Sequence, residues 1–443
     1  MPIQLDRVAD SRSFASQVDV VVIGGGIIGV CTAYELARKG LSVSLIEKGC
    51  IGGEQSGRNW GWVRQQNRDL CELPLAMYSV QRWAEIGLEI AADVGFRRQG
   101  ITYGTVNPAD LERWENWGQR AREHGFVSHM ISGSQVADRL PGSKSRWLGG
   151  VWSPDDGRAE PAQAAPAIAG GAQAIGVEIH QNCAARGLDI VNRKIAGVWT
   201  ERGLIKTSAV VCAGGAWSSR FCRHHGVELP VANIVGTAMS TSIAPEIVSG
   251  CLNTPTFALR RRNDGAYTLA VPGHGRMELA PQGLRYATKF YEMYRAKVAK
   301  KLKIRVGKSF FNGPEAWGRW EVDEVSPFEK IRTLNPAPDK EMIKLAISNL
   351  LAEFPAFADV KVTNAWAGVI DTTPDIVPII SNTPDLEGLT IASGFSGHGF
   401  GVGPGAARLA SEIVTGEKPF VDPAPYRLSR FSDGSSIRRP EMM

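Results

Sequence analysis

Residues 18–47 constrain the fold of this chain most strongly. They begin with a run of apolar residues, broken only by Asp19, that predicts a buried strand. A glycine-rich turn then leads into a helical pattern over residues 28–39, and a second strand over residues 41–46 ends on Glu47. Strand, turn, helix and strand in this order form a β-α-β unit, which predicts an α/β fold.

The glycines of this turn carry the first functional signal, because Gly24, Gly26 and Gly29 have the spacing G-x-G-x-x-G. The first glycine permits a tight turn, the second lets a pyrophosphate approach the backbone, and the third lets helix and strand pack closely. The start of the helix offers free N–H groups to a phosphate. Glu47 is placed to accept hydrogen bonds from a ribose diol. The stretch therefore predicts an adenine dinucleotide site, with further contacts from Ile27 and Ile28.

Size and composition exclude several other classes of protein. A chain of 443 residues is long enough for two interleaved domains, and 43% hydrophobic with 21% charged residues is typical of a globular protein. A net charge of +5 is too small to suggest nucleic acid. The seven cysteines include no C-x-x-C pair, which predicts a reducing compartment and no structural metal. We also expect neither a signal peptide nor a segment that spans a bilayer.

Three further stretches predict cofactor contacts. The loop KGCIGGEQSGRN directly follows Glu47, a strand over residues 205–211 leads to the turn at Gly214 and Gly215, and the run GFSGHGFG turns into a helix. The N-terminus of that helix can face a negatively charged group. The predicted contacts outside the first turn are Lys48, Gln55, Ser56, Gly57, Arg58, Asn59, Cys183, Ala213, Gly214, Gly215, Trp217, Gly394, Gly397, His398 and Gly399.

An arginine-rich hairpin over residues 258–270, ALRRRNDGAYTLA, predicts substrate binding. Neighbouring residues of a strand alternate between faces, so Arg260 and Arg261 point to opposite sides. An arginine that faces a pocket can hold a carboxylate by a two-pronged hydrogen bond. The alternative is a hairpin with solvated arginines. Tyr267 and Trp62 are further candidates for the pocket wall.

The segment over residues 285–308 has nine Lys or Arg residues and one acid, Glu292. Its aromatic and apolar residues fall near helical spacing among the basic ones, which predicts a basic amphipathic helix. Such a helix can lie on an anionic membrane surface. The alternative is a solvated helix that packs on the domain.

Six motifs in order, VVIGGGIIG, EQSGR, DDGRAEPA, VVCAGGAWS, DTTPDIVPII and GFSGHGFG, resemble the D-amino acid oxidase, glycine oxidase and sarcosine oxidase superfamily over residues 18–431. The stretches IEKGCIGGEQSGR, FRRQG, LRRRNDGAY, SPFEKIR and VDPAPYRLSRF are most similar to bacterial membrane-associated L-amino acid deaminases. The resemblance implies a Rossmann-like FAD-binding domain of the glutathione-reductase type, residues 18–85, 150–231 and 361–431. It is interleaved with an α+β substrate domain with a mixed or antiparallel sheet, residues 86–149 and 232–360, including a basic helical insertion at about 281–320.

The same resemblance implies a chemistry. Arg260 would hold the carboxylate of an amino acid while a hydride passes from its α-carbon to flavin N5, and water would convert the imino acid to a 2-keto acid and ammonia. His398 would touch the flavin pyrimidine edge or line the substrate site. Some members bind flavin through a cysteine, but residues 366–370 contain none, so we expect non-covalent FAD.

Two features depart from the deaminases: we expect no counterpart here of their N-terminal transmembrane helix, and the turn S-G-H-G over residues 396–399 resembles sarcosine oxidase. Three alternatives therefore stay open. One is the same chemistry on a D-amino acid or on an N-alkyl amino acid such as sarcosine, proline or an opine. The others are an NAD-dependent dehydrogenase and an FAD-bound subunit of a larger complex.

The sequence leaves the electron acceptor open between oxygen and a quinone of the respiratory chain, and the basic segment favours a membrane acceptor. We expect a cytoplasmic protein in peripheral contact with the inner face of the membrane.

Overall fold

The computed structural model describes residues 4–295 and 302–440. Its strands are β1 (Val20–Ile23), β2 (Val43–Ile46), β3 (Trp62–Val63), β4 (Ile101–Thr105), β5 (His129–Ser132), β6 (Gly149–Ser153), β7 (Gly157–Arg158), β8 (Glu178–His180), β9 (Ala185–Val191), β10 (Lys194–Thr200), β11 (Gly203–Lys206), β12 (Ala209–Cys212), β13 (Ala232–Thr241), β14 (Cys251–Asn253), β15 (Ala258–Arg261), β16 (Tyr267–Ala270), β17 (Gly275–Glu278), β18 (Leu302–Arg305), β19 (Val362–Thr372), β20 (Ile379–Asn382) and β21 (Leu389–Ser393).

Helices connect these strands, and several have clear end signals. Asn107 and Asp339 cap the N-termini of the fourth and eleventh helices with their side-chain oxygens, and Gly416 ends the last in a left-handed conformation. The helices are α1 (Ile27–Arg38), α2 (Gln55–Arg58), α3 (Leu73–Glu89), α4 (Pro108–Arg122), α5 (Gly133–Arg139), α6 (Pro161–Ala174), α7 (Ser218–His224), α8 (Pro281–Arg285), α9 (Tyr291–Arg295), α10 (Pro327–Lys330), α11 (Lys340–Glu353) and α12 (Gly399–Thr415).

The first sheet has the order β20-β21-β12-β1-β2-β8, and all its strands are parallel except β20. Alternate residues of β1 face two different layers. Val20 and Val22 pack with α1, α3, α6 and α12, whereas Val21 packs with the small antiparallel sheet β11-β10-β9. Because both faces are covered, the central strand β1 is apolar throughout. This three-layer arrangement confirms the predicted Rossmann-like domain.

The second sheet is mostly antiparallel and has the order β18-β17-β13-β16-β15-β14-β4-β6-β5, with β19 also paired to β13. Helix α11 covers one of its faces in a core with Met239, Leu259 and Leu269. Strands β6 and β19 belong to this sheet, although the sequence interpretation placed residues 150–153 and 362–372 with the FAD-binding domain. The domain division itself stays a prediction.

Two predicted elements differ in the structure. The single strand predicted over residues 205–211 is two strands, β11 and β12, because the chain passes from the small sheet into the parallel sheet at Thr207 and Ser208. The basic segment is not one helix. Residues 281–295 form short helical turns, residues 302–305 form β18 beside β17, and residues 296–301 lie outside the described part. In residues 4–295 and 302–440, no helix combines the length and the apolarity needed to cross a bilayer.

Candidate cofactor and substrate site

Two glycine turns meet where the parallel strands β1 and β12 end side by side, with Ile23 paired to Cys212. Gly24 has a φ of +110°, and a Cβ at this position would lie 2.4 Å from the carbonyl oxygen of Ala213. Only glycine fits this close approach at such a backbone angle. The two turns therefore form one narrow backbone surface at the carboxyl edge of the sheet, where α/β folds bind their ligands.

The other two glycines of the first turn have the predicted positions. A Cβ on Gly26 would lie 3.0 Å from Ser56 Oγ, and that hydroxyl accepts a hydrogen bond from the Ile27 N–H at 2.8 Å. A Cβ on Gly29 would lie only 1.9 Å from the Gly24 carbonyl oxygen. Gly29 thus keeps α1 close to β1, and Ser56 approaches the start of α1 from the loop after Glu47.

Glu47 directly follows β2 beside these turns. Its carboxylate accepts hydrogen bonds from the N–H of Gly25 at 2.7 Å and of Gly49 at 2.6 Å, while burial raises its pKa. The Cys183 N–H supports the Glu47 backbone by donating to its carbonyl oxygen at 2.9 Å. The acid predicted to hold a ribose is therefore fixed next to the glycine turn.

One cleft connects these features and has about 1190 Å³ of atom-free space, counted to its open mouth. The predicted cofactor residues that line it are Gly24, Gly26, Ile27, Ile28, Glu47, Lys48, Gln55, Ser56, Asn59, Ala213, Gly214, Gly215, Trp217, Gly397 and Gly399. The predicted residues outside the lining set are Gly29, Gly57, Arg58, Cys183, Gly394 and His398.

Several of the predicted residues that do not line the cleft support its wall. Arg58 is buried, and its Nη1 donates to the Ala367 carbonyl oxygen at 2.9 Å, which ties α2 to β19. The Gly394 N–H donates to Asp371 at 2.6 Å. A Cβ on Gly57 would lie 2.6 Å from the Gly52 carbonyl oxygen. Direct cofactor contact by these residues stays a prediction.

Sequence reasoning missed three prominent lining residues, Glu54, Phe328 and Asp371. Glu54 accepts hydrogen bonds from Trp217 Nε1 at 3.2 Å and from Lys48, and Asp371 holds the turn before α12. Both lie inside motifs that were recognised, so their polarity could have marked them. Phe328 also lies in a recognised stretch, SPFEKIR, but that stretch is distant in sequence from the cofactor motifs and its pattern gives no sign of a place in the cleft.

His398 precedes α12 and is not among the residues that line the cleft, whereas its neighbours Gly397 and Gly399 are. Its Nδ1 lies 2.9 Å from the buried carboxylate of Glu72. Burial, and after it the Arg68 guanidinium, lowers the pKa of His398, although the Glu72 carboxylate acts in the opposite direction. The backbone of the turn lines the cleft, and a catalytic role for the ring stays a prediction.

Arg260 lies on the face of the second sheet opposite to α11, with 1% of its surface exposed. Its Nη1 donates to Glu160 Oε1 at 2.8 Å and to the Ala159 carbonyl oxygen at 3.1 Å. Its Nη2 donates to Glu160 Oε2 at 3.2 Å and to Thr268 Oγ1 at 3.0 Å. Its Nε is buried without a hydrogen-bond partner in the described structure and lies against Gly61.

The guanidinium is therefore not open to a ligand in this conformation. Glu160 already occupies the two-pronged position that a substrate carboxylate would take, with Arg158 3.7 Å from the same carboxylate. A substrate carboxylate can bind the Arg260 guanidinium only by displacing the carboxylate of Glu160. Whether Arg260 holds a substrate stays a prediction.

Tyr267 does not belong to the pocket wall, which corrects the sequence expectation. It pairs with Arg261 across the hairpin, so the two side chains share the face that α11 covers. Its hydroxyl donates to the Val248 carbonyl oxygen at 3.0 Å, and its ring packs on Phe357. The alternation of side chains along β16 excludes it from the opposite face.

Trp62 is half-buried and packs edge-on against Trp60, with ring centroids 5.4 Å apart. Both tryptophans pack on the sheet face that carries Arg260. Trp60 packs against Trp366, Ala238 and Ala270. Trp62 packs against residues of β4 and β6 that share this face with Cys251, which pairs with Arg260. A direct substrate contact by Trp62 stays a prediction.

The residues of the cleft fit FAD. The two glycine turns leave backbone room for a pyrophosphate, and Glu47 is placed for a ribose. The cleft continues to Val369 and Asp371 of β19 and to the N-terminus of α12, so both sheets contribute to its walls. Within residues 4–295 and 302–440, no group of three or more His, Cys, Asp or Glu side chains could hold a metal ion.

Comparisons with known proteins agree with this geometry. A family model described as FAD dependent oxidoreductase, DAO, matches residues 19–413. Sarcosine oxidase subunit beta of Arthrobacter sp is 26% identical over 429 residues, 95% of this chain and 92% of that protein. Glycine oxidase of Pseudomonas aeruginosa is 25% identical over 412 residues, 92% and 97% of the two chains. The structure of L-amino acid deaminase from Proteus myxofaciens in complex with anthranilate matches with a TM-score of 0.92 and 32% identity, covering 97% of both chains.

Proposed function

The chain belongs to the DAO family of FAD-dependent oxidoreductases, and from this premise we propose that it oxidises an amino acid at the α-carbon. The product is an imino acid, which water converts to a 2-keto acid and ammonia. FAD, when bound, supplies the acceptor for the hydride that leaves the α-carbon. The chain itself has to bind the substrate, orient its α-carbon and exclude water.

The observation that carries the proposal is the buried guanidinium of Arg260, which reaches the segment directly after the cleft-lining residue Asn59. Beyond the hairpin, it contacts Gly61, Ala159 and Glu160, and Gly61 follows the cleft-lining Asn59 by two residues. A substrate carboxylate that replaces Glu160 would meet the same N–H donors in the same two-pronged geometry. Arg260 would then fix the α-carbon relative to the cleft.

Other residues of the same face would shield the site. Trp60 and Trp366 form an apolar surface with Ala238 and Ala270, and Trp366 is held by a 2.8 Å hydrogen bond from its Nε1 to the Arg58 carbonyl oxygen. We propose that this surface excludes water while the α-carbon reacts. His398, held by Glu72, would keep the cleft-lining turn of Gly397 and Gly399 in place.

The identity of 32% with an L-amino acid deaminase supports an L-amino acid as the substrate. The test is anaerobic mixing of the purified flavoprotein with single L-amino acids, D-amino acids and N-alkyl amino acids. We expect L-amino acids to bleach the flavin and to release ammonia and a 2-keto acid. Oxygen and a soluble quinone, added in separate samples after reduction, would identify the acceptor. A protein that carries FAD and is reduced by none of these compounds would contradict the proposal.

The second candidate is oxidation of an N-alkyl amino acid such as sarcosine, and similarity to sarcosine oxidase subunit beta over 95% of this chain favours it. Bleaching by sarcosine but not by L-amino acids would select it. The same similarity also leaves open a third arrangement, in which this chain is an FAD-bound subunit of a complex. Activity of the isolated chain would exclude that arrangement.

We propose that FAD is bound without a covalent bond. The end of the cleft formed by Val369, Asp371 and the start of α12 has no cysteine among its lining residues, whereas Cys50 lines the cleft near Glu47 and Cys212 is buried at the end of β12. Acid precipitation should therefore leave the flavin in the supernatant, and a yellow pellet would contradict this.

We further propose that this protein is cytoplasmic and contacts the inner face of the membrane through its basic segment, passing electrons to a quinone there. All seven cysteines are free, which supports a reducing compartment. Tyr291 and Tyr294 are 61% and 55% exposed, and Arg295, Lys303 and Arg305 lie in the same segment. Exposed aromatic residues among basic ones suit an anionic lipid surface.

If the basic segment contacts the membrane, the protein should sediment with vesicles that contain phosphatidylglycerol. Replacing both tyrosines by serine, Tyr291→Ser with Tyr294→Ser, should lower the bound fraction several-fold, because their apolar area no longer enters the interface. Leu88→Ser is the matched control, since Leu88 is 83% exposed on α3 and lies outside the basic segment. Equal binding by both variants, or binding to neutral vesicles alone, would contradict the contact.

A further inference from the structure

Residues 326–335, here called the strap, cover part of the cofactor cleft although they come from the predicted substrate domain. The strap contains α10, and its Phe328 is a buried lining residue of the cleft. The Phe328 ring packs edge-on against Trp217, with centroids 5.6 Å apart. A segment distant in sequence thus completes a site that is otherwise built on the strands of the parallel sheet.

The strap backbone is hydrogen-bonded to the loop after Glu47. Lys48 Nζ donates to the Arg332 carbonyl oxygen at 2.8 Å, and the Leu334 N–H donates to Glu54 Oε1 at 3.1 Å. A Cβ on Gly49 would lie 2.5 Å from the Arg332 carbonyl oxygen, so loop and strap are in close contact. The strap therefore lies directly over the end of the cleft where Glu47 is placed for a ribose.

Two ion pairs fasten the strap from outside the cleft. Arg186 of β9 holds Glu329 by two hydrogen bonds of 2.9 Å each. Arg332 forms a two-pronged ion pair with Glu201, in the turn after β10. All four side chains are half-buried or less exposed, and none lines the cleft. These pairs can be removed without changing a residue that lines the cofactor site.

We propose that the strap sets how fast FAD enters and leaves, and that these two ion pairs hold it closed. The glycine turns and Glu47 are fixed by the parallel sheet, whereas the strap is held by polar side-chain contacts and by the packing of Phe328, Ile331 and Leu334. Irregular segments outside the sheet ladders open at lower free energy than sheet cores. Opening of the strap uncovers the ribose end of the cleft. The inference rests on the family's FAD dependence and not on the choice of amino acid.

The test compares the holoenzyme with the double variant Arg186→Gln, Glu201→Gln. We expect free-flavin fluorescence to rise about ten-fold faster, or more, after dilution of the variant, because each strap pair loses one charge. Association of FAD with the freed protein should accelerate as well, since a closed strap slows both directions. High salt should accelerate release from the parent protein toward the rate of the variant.

The matched control is Lys194→Gln with Glu387→Gln, which removes an ion pair of 2.8 Å at the other end of the same small sheet. Its release rate should equal that of the parent. Release from the strap variant within two-fold of the parent rate would overturn the proposal. Faster release with unchanged association would overturn it too, because the pairs would then add affinity without controlling access. Protein that purifies without FAD would contradict the cofactor itself.

Discussion

Arg260→Met is expected to raise the KM for the amino acid substrate by about 100-fold or more while FAD content stays at the level of the parent protein. Truncating one member of a buried, hydrogen-bonded charge pair costs ~2–5 kcal/mol, and each ~1.4 kcal/mol is a factor of ten in affinity. FAD content should not change, because Arg260 is not among the lining residues of the cleft. Steady-state kinetics with a soluble electron acceptor and flavin absorbance measure the two quantities.

Glu160→Gln separates substrate binding from a structural role of the pair. Both variants break a buried ion pair, so both should lower the thermal unfolding temperature. Only Arg260→Met removes the group that would hold the carboxylate. In Glu160→Gln the guanidinium loses its charged competitor, so KM should not rise. An equal rise of KM in both variants would contradict the proposed role and would leave Arg260 as a structural residue.

Gly24→Ala is expected to abolish stable FAD binding. The backbone at Gly24 has a φ of +110°, which L-residues avoid, and the new Cβ would lie 2.4 Å from the Ala213 carbonyl oxygen. Both atoms belong to cleft-lining turns, so relief of the clash has to move one of the turns that would contact the pyrophosphate. The flavin absorbance of the purified variant, together with circular dichroism to check its folding, measures the effect.

Gly40→Ala is the matched control for this loss. Gly40 follows α1 at its other end, has a φ of +84°, and a Cβ there would meet no atom within 4 Å. The control thus shares the backbone strain, at a cost of about 1 kcal/mol, without the clash. It should retain FAD. If Gly24→Ala also retained FAD, the close contact of the two turns would not be essential for the cofactor.

The cofactor half of the site could be predicted because the residues that form it lie close together in the sequence. Within residues 18–47 the pattern changes from a strand to a glycine turn, a helix and a second strand, and Gly24, Gly29 and Glu47 have the expected positions. Each of these residues acts through the backbone geometry of one β-α-β unit. The order of the remaining strands in the sheet needed the family resemblance or the structure.

The substrate half could be predicted only in part because its contacts connect distant residues. Arg260 and Glu160 are 100 positions apart, and no pattern in either stretch indicates that they pair. The strap contacts Lys48 from 284 positions away. Tyr267 is different. The turn at residues 263–265 aligns it with Arg261, so strand alternation could have excluded it from the face of Arg260.

The place of the basic segment at the edge of the second sheet has an evolutionary consequence. Strands β17 and β18 extend that sheet beyond β13, whereas β15, with Arg260, lies on the other side of β13 and β16. Insertions and deletions are best tolerated at such margins, since internal pairing is left intact. Related chains could therefore acquire or lose a docking module at this edge while their catalytic site is inherited unchanged.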